Sequence, residues 1–372
     1  MARTTVLSTR ALNRALLERQ MLLRRRRVSP LDALERLVGL QAQVPRDPYV
    51  ALWSRLERFR PETIAEPLSD RRAVRMGLLR ATLHLVTADD AIVLRPVLEP
   101  VVQRTLHGQR HLARALAGLD AATLVAMATR LLVEQPRTRA QLASLLGERW
   151  PERDAASLAY AVTYLMPLVQ VTPRGLWGRT GPSAFTTFEH WLGRPPGPPK
   201  EPDDLMRRYL AAFGPSTPAD ASSWSRLAGM REVFERLRPE LRIVRDERDR
   251  ELFDVPRAPL PSPETPAPVR FLPEYDNVLL GHEDRSRIVP AGLSPLTEVG
   301  WGSVLVDGTL AARWKLERHD GSALLRVETH RPLTREDRDH VAQEGTALTT
   351  FLAPEADGSV VRIAWAPRGE DS

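Results

Sequence analysis

The stretch 203–255, "DDLMRRYLAAFGPSTPADASSWSRLAGMREVFERLRPELRIVRDERDRELFDV", decides the fold. Leu205, Met206, Tyr209, Leu210 and Phe213 recur at helical spacing. "GPSTPAD" then makes a turn. Thr217 suits the N-cap of a second helix, Pro218 its first position and Asp220 its first turn. That helix runs to about Ser225. Gly229 breaks it, and "MREVFERLR" reads as a third. "LRIVRDERDRELFDV" alternates as strand, polar turn, strand. Three helices and a hairpin are the plan of a winged helix.

The same order recurs upstream. "AATLVAMATRLLV", "TRAQLASLLGERW" (capped by Thr138) and "DAASLAYAVTYLMPL" read as helices, and "LVQVTPRGLWGRT" as strand, turn, strand. At the N-terminus, a helix over 8–26 capped by Ser8, "PLDALERLVGL", "PYVALWSRLERF" and two short strands in "AVRMGLLRATLHLV" repeat the plan more loosely. The fold expected is α+β: three tandem winged-helix units followed by a β-rich C-terminal domain. The boundaries are 1–118 (with a helical extension over 88–118), 119–192, a Pro/Gly-rich linker at 193–202, 203–258, and 259–372. In the last region, Asp307-Gly308 and Asp320-Gly321 are hairpin turn signals, and "TREDRDHVAQEGTALTTFL" is one helix.

The net charge is +6, and all but two of the 53 basic residues are arginines, Lys200 and Lys315 being the exceptions. Arginine binds phosphate bidentately, but a GC-rich genome also favours its codons. With no cysteine, disulfides, zinc–thiolate sites and a cysteine nucleophile are excluded. The chain lacks an 18-residue apolar run and a signal peptide's apolar region, so a cytoplasmic protein without a membrane partner is expected. H-E-x-x-H, GxGxxG, P-loop and G-x-S-x-G motifs are missing, and no metal or organic cofactor is expected.

"VGLQAQVPRDP", residues 38–48, places two amides at the end of an apolar helix. Leu31, Leu34, Leu37 and Val38 form its buried face, and Gln41 continues that face. Pro45 ends helical conformation before it, so the helix should stop near Leu40 and 41–44 should run extended. Gln41 and Gln43 would then point to one spot, with Ala42 facing away. Spacing alone favours two glutamines that bond a helix end.

Three other clusters have two readings each. "RRRR" (Arg24, Arg25, Arg26, Arg27) is a solvated helix end or a phosphate contact. "PEYDNVLLGHEDRSR" (273–287) reads better as a turn between strands than as a metal site. Its tip carries His282, Arg285 and Arg287. His84 reads by pattern as a histidine bonded at a strand edge; a role near the glutamines comes only from the family resemblance of its motif.

"GLQAQ" (39–43), "LLRATLHLV" (78–86), "RYLAAFGPSTPADASSWS" (208–225) and "FLPEYDNVLLGHEDRSRIV" (271–289) together resemble the AlkZ-like family of DNA glycosylases. The likeness covers roughly 8–365. It implies a C-shaped array of winged helices around a concave DNA-binding face. It also implies excision of bulky N7-alkylated purines from damaged duplex DNA, with interstrand-crosslink unhooking and self-resistance to genotoxic natural products in some members. The family's Gln-x-Gln motif falls on Gln41 and Gln43, which become the expected catalytic residues. His84 and Arg80 are expected to support them. Arg24 to Arg27, Arg46, His282, Arg285 and Arg287 are the expected DNA contacts. A nucleoid-associated monomer is expected. A winged-helix transcriptional regulator is the rival reading, although the acidic residues in "MREVFERLRPE" suit base recognition poorly. A scaffold for protein contacts is the third.

Overall fold

The structure is a computed structural model that describes residues 5–293, 299–319 and 322–356, with the backbone of 363–364. The chain forms a mixed α+β molecule with three sheets among the described residues.

The first helix, Thr9–Arg19, is capped by the Ser8 hydroxyl. It stops seven residues before the expected end at 26. Leu22 N donates to Leu17 O and Met21 N to Glu18 O, with Met21 left-handed at φ 59°. This is a Schellman closure without its usual glycine. Arg24–Arg27 therefore lie in a loop, not at a helix end, and Arg26 bridges to Leu56. Helices Pro30–Leu37, Asp47–Arg55 and Glu62–Ser69 follow, then the hairpin Ala73–Gly77 and Leu83–Thr87. Three helices, Ala88–Val97, Glu99–Gly108 and Arg110–Leu116, fill the extension.

In the next region, helices Ala121–Glu134, Arg139–Arg149 and Ala155–Leu165 precede strands Leu168–Gln170 and Ala184–Thr187. The second strand begins after "GLWGRT", which instead forms turns. Residues 193–202 carry no regular element apart from a turn. The order read for 203–255 is present: Asp203–Phe213, Pro218–Ser225, Met230–Leu237, then the hairpin Arg242–Asp246 and Glu251–Asp254. Thr217 and Asp220 bond each other's backbone in a capping box.

Pairing across regions was not foreseen. One six-stranded sheet runs Leu40–Gln41, Leu83–Thr87, Ala73–Gly77, Leu168–Gln170, Ala184–Thr187, Arg137–Thr138, and so fuses the first two regions. Val6–Leu7 pairs in parallel with Arg242–Asp246, so the first strand completes the hairpin of the third. A five-stranded sheet, beginning Arg270–Leu272, Gly302–Val306, Thr309–His319, Ser322–Thr329, packs against the helix Arg335–Leu352. Asp307 and Gly308 make its first turn with φ 47° and 77°, both positive as a type I′ turn requires. The expected turn at Asp320-Gly321 falls outside the described residues.

The largest apolar core runs from Leu16 through Val74, Phe213 and Trp224 to Leu310 and so draws on every region. No single helix among the described residues is long and apolar enough to cross a membrane.

Candidate active site around Gln41 and Gln43

The helix Pro30–Leu37 ends in a second Schellman turn. Gly39 N donates to Leu34 O, with Val38 left-handed and Gly39 at φ 86°. The helix thus stops three residues earlier than expected. Leu40–Gln41 then joins the sheet edge beside Leu83–Thr87. Ala42 N extends that pairing to Leu83 O, but Gln43 and Val44 already bend away. Only part of 41–44 is therefore extended, because Pro45 and Asp47 turn the chain into the next helix.

Gln41 is buried and Gln43 exposed, while Ala42 sinks into the core between them. Gln41 Nε2 donates to Gln43 Oε1 at 2.6 Å. Arg80 Nη2 donates to Gln41 Oε1 at 2.7 Å, and Arg80 Nη1 to the Trp224 carbonyl at 2.9 Å. The two amides therefore meet at one spot, clamped from the buried side by a guanidinium. Arg80 occupies the tip of the first hairpin, where it and Ala81 are both left-handed at φ 55°. Non-glycine residues pay roughly 1–3 kcal/mol for such a conformation, which the packing here enforces.

His84 pairs with Gln41 across the ladder, so both side chains stand on the same face. It is not at an edge: its strand lies between Leu40–Gln41 and Ala73–Gly77. Nδ1 lies 2.9 Å from the Thr82 carbonyl, which makes it the protonated nitrogen of a neutral ring. Burial, then the charge of Arg80, pushes its pKa down to about 3. Burial also pushes Arg80 down to about 10, helped by Arg226 and Arg285.

The pattern analysis missed two supports. Arg75, on Ala73–Gly77, is 2% exposed and donates from Nη2 to the Ala42 carbonyl at 2.6 Å. A Cβ on Gly175 would stand 2.1 Å from its Nη1, so only glycine lets this arginine lie flat there. Asn277 Nδ2 donates to the carbonyls of Leu37 and Gly39, which fixes the approach to Gln41. An arginine inside the apolar strand "AVRMG" was the available signal for the first. Asn277 was visible only as part of a turn-like cluster. Gln43 also borders a cavity of about 310 Å³ with Arg174, Gln170, Tyr160 and Tyr164 on its wall.

The other expected residues divide. Segment 273–287 is not a turn between strands, since it contains the helix Asn277–Leu280, N-capped by Asp276. His282 is 1% exposed and bonds Ser216 Oγ and the Phe213 carbonyl, and Arg287 donates to the Pro215 carbonyl from a site 5% exposed. Neither can touch a groove; they tie this segment to the turn before Pro218–Ser225. Arg285 remains partly accessible. Arg25 pairs with Glu344 and lies over the Trp53 ring, while Arg26 pairs with Glu18. Arg24, Arg27 and Arg46 are exposed, although Arg27 meets Glu57 at 2.9 Å. Among the described residues no cluster of histidine and carboxylate side chains could hold a metal.

Among solved structures, the DNA glycosylase AlkZ of Streptomyces sahachiroi superposes with a TM-score of 0.73 at 22% identity, covering 97% of this chain and 100% of that one. No curated protein sequence matches. The profile of the family described as "DNA glycosylase AlkZ-like" matches residues 34–351, a span that contains Gln41, Gln43, Arg75, Arg80 and His84. This chain belongs to the AlkZ-like DNA glycosylase family.

Proposed function

We propose that this glycosylase is monofunctional and hydrolyses the N-glycosidic bond of bulky N7-alkylated purines in duplex DNA, leaving an abasic site. One observation carries the reading: the two amides are chained as Arg80 to Gln41 to Gln43, and only the last of them is exposed.

An N7-alkylguanine is a cation and departs as a neutral base, so the site needs no general acid. A neutral, buried His84 suits that chemistry, because near pH 7 it is not an imidazolium and its one N–H is held by the Thr82 carbonyl, so it is no general acid. The sugar becomes cationic instead. What accelerates the step is a fixed dipole facing it and a water already in place. Gln41 is buried, with its oxygen bonded to Arg80 and its amide nitrogen to Gln43, so it serves as a positioning residue. Gln43 Oε1 accepts one bond from Gln41 and keeps a second lone pair for the attacking water or the sugar. An amide is a very weak base, so the water loses its proton late. Undamaged nucleotides, with poor leaving groups, are left intact.

The three helices and hairpin over 203–254 support a winged helix there, and in this reading three such units surround a concave DNA face. The exposed Arg24, Arg27 and Arg46 are its phosphate contacts within this reading. Crosslink unhooking and self-resistance to a DNA-alkylating natural product extend the same chemistry to larger adducts.

The test is base release. Duplex DNA carrying N7-methylguanine or a bulkier N7 adduct is incubated with the protein, and abasic sites are cleaved with alkali. Gln43→Ala should slow release by about 10²–10³, the cost of one lost polar stabiliser. Unchanged release by a Gln41→Ala/Gln43→Ala variant would sink the assignment.

A further inference from the structure

Around the helix Pro218–Ser225, four arginines gather from four parts of the chain. Arg80 donates to the Trp224 carbonyl at 2.9 Å, and Arg104 Nη1 to the Arg226 carbonyl at 2.8 Å. Arg226 itself is the left-handed cap of the helix, φ 65°, with an exposed side chain. Arg285 follows a segment whose Glu283 and Asp284 amides both bond Asp220 of the same helix. Its Nε is enclosed and has no hydrogen-bond partner.

A helix C-terminus attracts one cation through its free carbonyls, and Arg80 and Arg104 satisfy that. It does not account for Arg226 and Arg285. Among the described residues, none of the four arginines has a carboxylate within ion-pair distance. Elsewhere, buried guanidiniums such as Arg19 and Arg55 meet aspartates. The cations are close enough that Arg226 and Arg285 both depress the pKa of Arg80. Like charges held together without a counter-ion are costly unless an anion joins them. One member, Arg80, also grips Gln41.

We infer that Arg80, Arg104, Arg226 and Arg285 form a cradle for a backbone phosphate of the DNA, next to the nucleotide being excised. This rests on the glycosylase reading and deepens it. The phosphate would neutralise the cluster, so a cationic sugar could approach Gln43 without repulsion. Bound to Arg80, it would also brace the amide chain. The arginines thus couple docking of the backbone to the readiness of the site.

The test measures binding apart from chemistry. Affinity for a short undamaged duplex is followed across a salt series for the wild type, an Arg226→Ala/Arg285→Ala variant and Gln43→Ala. Neither Arg226 nor Arg285 bonds Gln41 or Gln43, and thermal melting checks that the double variant stays folded. Its plot of log affinity against log salt should be shallower by about 1, and Gln43→Ala should keep the full slope. An unchanged slope in the folded double variant, with the wild type still releasing base, overturns the cradle alone. A reduced slope with no base release by the wild type keeps the cradle and defeats the glycosylase reading. Inorganic phosphate at matched ionic strength is the second arm. It should displace DNA no better than chloride does; stronger displacement that the double variant loses would assign the cluster to a free anion and overturn the proposal.

Discussion

Asp47 begins the helix that follows Gln43, and its Oδ2 is buried without a hydrogen-bond partner. Burial pushes its pKa from 3.8 up to about 7, against the pull of Arg46. The folded chain therefore keeps a proton that the unfolded chain releases. Stability falls as pH rises from 3.8 to about 7 and is level above that. Asn imitates the protonated acid. We expect Asp47→Asn to be more stable than wild type at pH 8 by about 1–3 kcal/mol and to lose that advantage near pH 4, as read by urea unfolding at both values. His84 has the opposite sign. Its pKa drops from 6.5 to about 3, so the unfolded chain binds the extra proton, and stability falls as pH drops through that window. His84→Asn, which keeps a donor for the Thr82 carbonyl, should soften this acid loss. In the wild type, base release should show no inflection near pH 6.5 from this residue; a sharp one would contradict its neutral state.

The turn that delivers Gln41 depends on Gly39. A Cβ there would stand 2.6 Å from Val86 Cγ1, and the positive φ disfavours any side chain. Gly39→Ala should therefore destabilise the protein and slow base release together, since strand Leu40–Gln41 would shift from His84. Normal release with normal melting would show that the turn is not what aims the amide. How far such features were legible follows from their range. The side-by-side amides came from local alternation alone, and the capped helices over 203–237 from spacing and Thr217. The helix ends at Arg19 and Leu37 were misjudged because Met21 and Val38, not glycine, occupy left-handed slots. Arg80 could be placed only through family likeness, since "LLRATL" contains no residue that announces two left-handed positions. His282 and Arg287 looked exposed because they are polar; their partners are backbone carbonyls some 70 residues away, which no local pattern contains.

Across the whole molecule, charges buried in pairs join regions that the sequence suggested as separate domains. Arg55 and Asp276 are both fully enclosed and bond bidentately at 2.7 and 2.8 Å. Arg19 from the first helix likewise meets Asp254 from the third region's hairpin. Asp276→Ala leaves a buried guanidinium uncompensated and removes the cap of Asn277–Leu280, so a loss of about 3–5 kcal/mol is expected in denaturant unfolding. With its largest apolar core spanning Leu16 to Leu310, the wild type should unfold in a single transition by fluorescence and circular dichroism. Two separated transitions would restore independent domains. The helices and hairpin of 203–254 were readable because their order is local. The shared sheet and core were not, because strand partners such as Met76 and Val169 lie far apart in the chain.

Val6 and Leu7 find their partners at Arg245 and Asp246. On a ribosome, this strand must wait for the hairpin of the third region to emerge. At usual elongation speeds that delay is about 10–50 s. During it, an apolar edge stands open beside a polysome of identical nascent chains, and a holding chaperone has its natural window of action.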